Sequence, residues 1–345
     1  MSLEPFIRAM PKVELHVHLE GSIQPETLLT LAQRNGVSLP ASSVADLRTW
    51  YTFRDFSHFV EVYLAVSACI CTLDDIEFIA REFLSNQAAQ NIHYSEVTYT
   101  AFTHYHFKQL AFADQLQALN RARAWAEAEL GITMGLVIDI PRSISSEAGL
   151  LVADWAISAM DNGVVALGLG GPEVGNPPQK FTAAFARAYA AGLPAVPHAG
   201  ETVGAASVWG ALHDLHAVRI GHGVRCLEDS LLIEELRVRQ IPLEVCPTSN
   251  VCLGVVPSLA AHPLPDLLAN GLFVTLNSDD PALFNTTLTD EYLAVAHTFD
   301  LDVGMIEQFV LNSVRAALLP ATTRATMETQ FIREFAQLHT VDPGH

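Results

Sequence analysis

Short apolar runs alternate along the chain with longer stretches in which apolar residues return every three or four positions. Eight of the short runs read as strands: residues 13–19, 92–98, 132–140, 164–169, 193–198, 217–222, 241–246 and 272–277. Several are apolar almost without interruption, as expected of parallel strands covered on both faces. Helical periodicity fills the stretches 25–36, 74–90, 112–130, 147–162, 181–191, 207–215, 230–239 and 263–270. The first of these opens on Pro25-Glu26 and stops at Gly36, with proline in the first turn and glycine past the last. Strand followed by helix, repeated along the chain, predicts one α/β domain over residues 1–345. The expected architecture is a single (β/α)8 TIM-type barrel, not an open doubly wound sheet. Residues 22–91 are too many for one crossover helix, so extra helices are expected after strand 1. Phe53, Phe56, Phe59 and Tyr63 fall on one face there, either roofing the barrel mouth or packing a helix onto the body.

The polar residues that break the apolar pattern fall at the C-terminal ends of these strands, the rim where barrels of this kind assemble active sites. His16 and His18 end the first strand, in PKVELHVHLEGS. His198 ends the fifth, in VPHAGE, with Glu201 just beyond it. His222 ends the sixth, in RIGHG, and Asp279 and Asp280 follow the eighth, in TLNSDDPALF. Residues i and i+2 of a strand share a face, so the rings of His16 and His18 enter the interior together. An HxH pair alone is weak evidence in a chain with 14 histidines. A third histidine and an aspartate at other strand ends turn it into a candidate metal site, and histidine plus carboxylate without thiolate suits zinc, iron or manganese. Glu201 reads as a proton donor if enclosed, or as a helix N-terminal acid. Asp279-Asp280-Pro281 reads either as a turn or as two carboxylates aimed differently, one at a metal and one at a ligand. Arg142, in DIPRS, reads as an ordinary surface arginine, or as a cation for an acidic tail on a substrate.

Composition narrows the partners. The chain has 345 residues, 50% of them hydrophobic and 17% charged, which supports a sizeable core. The formal net charge of -19 repels nucleic acid and anionic membranes, leaving a small molecule as the expected partner. The opening MSLEPFIRAMPK lacks the apolar run of a signal peptide and no stretch reaches membrane-span length, so a cytoplasmic location is expected. Five cysteines without a C-x-x-C pair read as small buried hydrophobes. There is no P-loop motif, no H-E-x-x-H and no G-x-S-x-G, and the GLGG at Gly168–Gly171 lacks the dinucleotide-binding spacing.

The segments PKVELHVHLEGS, HAGE, RIGHGVRCLED, EVCPTSN and LNSDDP resemble the adenosine deaminase family, in the family's order and over nearly the whole chain. The resemblance implies a distorted (β/α)8 barrel with one Zn2+ per chain, held by His16, His18, His198 and Asp279. It implies that Glu201 protonates purine N1 and that His222 orients and deprotonates the attacking water. It also implies that Asp280 bonds N7 and that the backbone of Gly171 donates to N3. The expected reaction is hydrolytic deamination of adenosine or a 5′-modified adenosine, with a purine nucleoside or base as the small-molecule partner. Glu20 stands where adenosine-specific members carry an aspartate at the sugar end, which makes it a candidate substrate-binding residue. Gly170-Gly171-Pro172-Glu173 replaces their AGDE, and adenine-specific relatives have Ser-Ser-Glu there and Asp in place of Gly221. These departures leave room for aminodeoxyfutalosine or free adenine as the substrate. An amidase or phosphoesterase on the same barrel is a second enzymatic reading, and a purine-binding protein without activity is a third.

Overall fold

A computed structural model describes residues 2–340. Its eight strands are β1 (Lys12–His18), β2 (Ile92–Tyr99), β3 (Thr133–Pro141), β4 (Val164–Gly170), β5 (Ala195–Ala199), β6 (Ile220–His222), β7 (Leu243–Val245) and β8 (Val274–Leu276). They pair in parallel in the order of the chain. Helices cover the outside, giving the expected (β/α)8 barrel. All eight apolar runs hold strands, but the later ones are shorter than the runs. Ala217, for example, makes only an isolated bridge to Ala195 before the ladder resumes at Ile220.

The barrel closes between β1 and the segment after β8. The His18 amide donates to Asp279 O at 2.8 Å and the Asp279 amide to His16 O at 3.1 Å. Below that bridge the Asn277 side chain substitutes for strand backbone, its Oδ1 accepting from the amides of Leu15 and His16. The seam therefore consists of the residues that carry the candidate chemistry.

Four helices follow β1: Pro25–Asn35, Val44–Trp50, Phe56–Ser67 and Leu73–Ala89. Phe56–Ser67 starts where Asp55 caps the His58 amide at 2.8 Å. Phe56, Phe59 and Tyr63 from this helix line the central cavity, so the aromatics do roof the mouth. Phe59 stacks on Phe284 from the segment after β8, with centroids 5.5 Å apart, and Phe53, just before the helix, packs edge-on against both. Three helices that the apolar pattern does not predict follow β8: Leu288–Thr298, Val303–Ala316 and Ala321–Thr340. Val303–Ala316 buries Ile306, Phe309, Val310 and Val314 and covers the β8–β1 seam. Cys69, Cys226 and Cys246 are buried, Cys71 and Cys252 half-buried, and all are free thiols. No helix among the described residues is long and apolar enough to cross a membrane.

Candidate active site

His16 and His18 project from β1 into the barrel as their spacing requires, and meet His198 from β5 and Asp279. His18 Nε2 lies 3.1 Å from His198 Nε2, and Asp279 Oδ1 lies 3.3 Å from Nε2 of both His16 and His18. All four donor atoms fall within 4.8 Å of one another, and all four residues are buried. Ligands about 2.0–2.1 Å from one ion lie roughly 3.3 Å apart at a tetrahedral angle, so the group fits a single divalent metal. An orphaned atom supports the fit. His16 Nδ1 is engaged by Glu244 Oε2 at 2.9 Å, while its buried Nε2 has no hydrogen-bond partner among the described residues and aims at the cluster. Ser249 Oγ donates to Asp279 Oδ2 at 2.7 Å, which orients Oδ1 inward. Burial opposes ionisation of Asp279, yet His16 and His18 hold its carboxyl well below the usual range.

The second layer fixes the first. Glu244, behind His16, is bound by the Arg219 guanidinium, which also holds Glu96 and donates to Ala316 O. Burial works against its charge, but Arg219 and His16 keep the Glu244 carboxyl below its ordinary value. A carboxylate behind a ligating imidazole sets its tautomer and orientation.

Four further candidates line one cavity of about 200 Å³, open at its mouth: Glu201, His222, Asp280 and Gly171. Burial, then the charges of Asp279 and Glu173, pushes Glu201 well above its ordinary value, which favours its protonated form. His222 and Asp279 adopt left-handed backbone, φ +61° and +65°, a strain typical of functional positions. His222 Nε2 stands 3.8 Å from both Glu201 Oε2 and Asp279 Oδ2. Burial pulls its pKa to about 4, so the ring is neutral.

A chain of hydrogen bonds fixes the tautomer of that ring. The Leu264 amide, which can only donate, reaches His262 Nδ1 at 3.0 Å. His262 must then carry its proton on Nε2 and donate to Asn250 Oδ1 at 3.0 Å. Asn250 Nδ2 in turn donates to His222 Nδ1 at 3.4 Å. With Asn250 so oriented, His222 presents Nε2–H to the cavity as a donor, so it can orient an attacking water but not, as the resemblance implies, take its proton.

Asp280 is buried with Oδ1 unpartnered among the described residues, and burial and the Asp279 charge raise it well above its usual range. It fits only because residue 21 is glycine: a Cβ there would overlap its carboxylate. Gly171 lines the cavity with φ +89°, a conformation that favours glycine.

Two further expectations change. Glu20 is buried but is not among the cavity-lining residues. Its Oε1 accepts from the Thr100 amide and His104 Nε2, both at 3.1 Å, and its Oε2 from Tyr63 Oη at 3.2 Å. The carboxylate ties the helical roof to the barrel. Arg142 is not a surface residue either; it is fully buried, with its Nη atoms on the carbonyls of Asn176 and His198 at 2.6 Å each. Its Nη atoms brace the end of β5, while the residue also lines the cavity and its Nε is without a hydrogen-bond partner among the described residues.

Sequence reasoning gives Glu173 no role. Its carboxylate accepts from the amides of Gly200, Glu201, Thr202 and Val203 and from the hydroxyls of Thr202 and Ser207. Burial opposes its charge, but these donors and Arg142 lower its pKa. Glu173 therefore holds the loop that carries Glu201. Its neighbours in sequence give no such signal, because every donor lies 27 to 34 residues away.

Comparison with known proteins agrees with this geometry. The family model described as adenosine deaminase matches residues 11–333. The chain is 42% identical to an aminodeoxyfutalosine deaminase of Streptomyces avermitilis, covering 95% of this chain and 92% of that protein. It resembles the crystal structure of an adenine deaminase from Arthrobacter aurescens with a TM-score of 0.90 and 36% identity, over 94% of this chain and 99% of that one. It also resembles an amidohydrolase from Burkholderia ambifaria solved with bound Zn, with a TM-score of 0.91 and 26% identity, over 98% and 94% of the two chains.

Proposed function

The chain belongs to the adenosine deaminase family, and on that premise we propose that it hydrolyses the 6-amino group of an adenine nucleoside, with one zinc ion per chain. It is a metal-dependent aminohydrolase. The observation that carries the proposal is the meeting, in one cavity, of the His16–His18–His198–Asp279 group with a Glu201 whose protonated form is favoured. When bound there, zinc supplies Lewis acidity, lowering the pKa of a water toward about 7. The zinc-bound relative supports that choice of metal.

The chain's own residues account for the rest. C6 of adenine is a poor electrophile, and proton transfer from Glu201 to N1 draws electron density from it. His222 offers Nε2–H to the attacking oxygen and orients it. Asp280, kept protonated by burial and by Asp279, can donate to N7, a pure acceptor. The backbone of Gly171 meets N3 from β4. Water adds its oxygen to C6 and gives up both protons, one to the Glu201 carboxylate left when N1 took its proton and one to the amino nitrogen; the C6–N bond breaks, ammonia leaves, and the 6-oxo purine keeps its proton on N1. Glu173 keeps Glu201 in place throughout, and the aromatic roof covers part of the mouth.

Two relatives point to different substrates. The aminodeoxyfutalosine deaminase favours a nucleoside with a 5′ substituent, and the apolar wall of Phe56, Phe59, Val60 and Leu64 suits such a group. The hydrogen bonding of Glu20 points the same way, because its carboxylate already accepts from Thr100, His104 and Tyr63, leaving less of it for a free 5′-hydroxyl. The adenine deaminase favours the free base as a second reading. Initial rates of ammonia release from aminodeoxyfutalosine, adenosine and adenine decide between them. The 5′-substituted nucleoside should exceed adenosine in kcat/KM by at least about tenfold, equivalent to roughly 1.4 kcal/mol. Equal turnover of plain adenosine would remove the 5′ argument, and a preference for adenine would select the second reading.

A further inference from the structure

The cavity holds one acid that none of these roles uses. Asp139 lies near the end of β3, in the otherwise apolar run LVIDIP, and is only 3% exposed. It lines the cavity, and its Oδ1 is buried with no hydrogen-bond partner among the described residues. Its carboxylate sits in a cradle made by two glycines of β4. A Cβ at Gly168 would lie 2.9 Å from Oδ1, and one at Gly170 would lie 2.8 Å from Oδ2. Leaving a buried carboxylate without a donor is costly in a folded protein, which marks it as a group waiting for one.

The barrel order says which part of a ligand Asp139 faces. The metal-site residues come from β1, β5 and the segment after β8, so C6 of a bound 6-aminopurine lies on that side. Glu201 follows β5 and Asp280 follows β8, so they flank C6 on either side, toward N1 and N7. The N9 substituent then projects toward the remaining wall, formed by β2, β3 and β4, and Asp139 is the acid in the middle of that wall. What N9 carries in a nucleoside is a ribose with two vicinal hydroxyls, each a donor. The other nearby acid, Glu20, already accepts from Thr100, His104 and Tyr63, which leaves Asp139 as the acid of that wall with an unpartnered oxygen. The Arg142 guanidinium gives its Nη atoms to two carbonyls and makes no hydrogen bond to Asp139.

We propose that Asp139 accepts a hydrogen bond from a ribose hydroxyl of the substrate and is the residue by which this enzyme recognises a ribonucleoside. This rests on the purine deaminase reading above. The sugar acceptor thus lies at the end of β3, not in the loop after β1.

The test uses the metal-loaded enzyme, wild type and the Asp139→Ala and Asp139→Asn variants. Ammonia release is followed from adenosine, 2′-deoxyadenosine, 3′-deoxyadenosine and adenine, together with metal content and melting temperature. Wild type should favour adenosine over at least one deoxy analogue by about 10²-fold in kcat/KM, because a site built to bind a hydroxyl rejects the analogue lacking it. Asp139→Ala should shrink that ratio below about threefold through loss on adenosine. Asp139→Asn, whose amide oxygen still accepts, should keep part of it. The melting temperature of the alanine variant should stay level or rise, since an unpartnered buried carboxylate is removed, whereas loss of a purely structural aspartate would lower it. The proposal is overturned if wild type does not discriminate among the nucleosides, if it acts on adenine alone, or if Asp139→Ala leaves the ratio intact. It is equally overturned if the variant loses all four substrates in equal measure. Aminodeoxyfutalosine is run alongside, and wild type that releases no ammonia from it or from any of the four overturns the deaminase reading itself, an outcome distinct from an unchanged ratio.

Discussion

Glu173 and Glu201 are held by the same short loop, yet their carboxyls shift in opposite directions. Both are buried, which alone would raise both. Glu173 faces a fan of amide and hydroxyl donors and is lowered; Glu201 faces Asp279 and Glu173 and is raised. One therefore anchors and the other can give up a proton. Glu201→Gln should fold and retain its metal, because the amide keeps the shape and still donates a hydrogen bond. It should lose about 10²–10⁴-fold in kcat, since it has no proton to transfer. Steady-state kinetics alongside metal analysis checks this, and a near-native kcat would make Glu201 structural. His16, His18, His198 and Asp279 are legible in the sequence because imidazole and carboxylate have no reason to end apolar strands unless something there uses them. Asp139 carries the same signal, a charge inside LVIDIP, and could have been found by it. The hydrogen bonding of Glu20 could not, because it depends on Tyr63 and His104, 43 and 84 residues away.

At the scale of elements, the strands are the most readable part of the chain, since parallel strands buried on both faces must be apolar throughout. Helices 112–130 and 230–239 match their expected bounds. The C-terminal helices escape the apolar pattern. Ala321–Thr340 buries only Phe331 and Phe335 and so shows little stripe, and Val303–Ala316 gains its meaning only from the seam it covers. Short connecting segments are the least readable, although they do much of the positioning. The helix Pro247–Cys252 after β7 supplies Ser249 to Asp279 and Asn250 to His222, and His262 supports Asn250 from the next turn of chain. Replacing His262 with phenylalanine removes the donor that sets Asn250, and with it the tautomer of His222. The expected result is a kcat lowered by about tenfold with metal content unchanged, a share of the 10²–10⁴-fold range for a positioned proton-handling group. Native kcat in that variant would show that the chain of hydrogen bonds does not govern His222.

Across the whole molecule, the closure of the barrel and the assembly of the site are the same event. The backbone bridge between His16–His18 and Asp279 joins the last strand segment to the first and brings two imidazoles to a carboxylate. The buried Glu96–Arg219–Glu244 chain then reaches from the core to the back of His16, so the metal-site group is set by the body of the barrel. Metal binding and deamination should consequently appear and disappear together. The direct measurement strips the protein with a chelator, adds zinc back in steps, and follows ammonia released from adenosine against bound metal. Activity should fall to background in the stripped protein and return in proportion to zinc, levelling off at about one equivalent per chain. Asp279→Ala should neither hold the ion nor release ammonia. Undiminished deamination by the metal-free protein, or by Asp279→Ala without bound zinc, would contradict the assignment of this site.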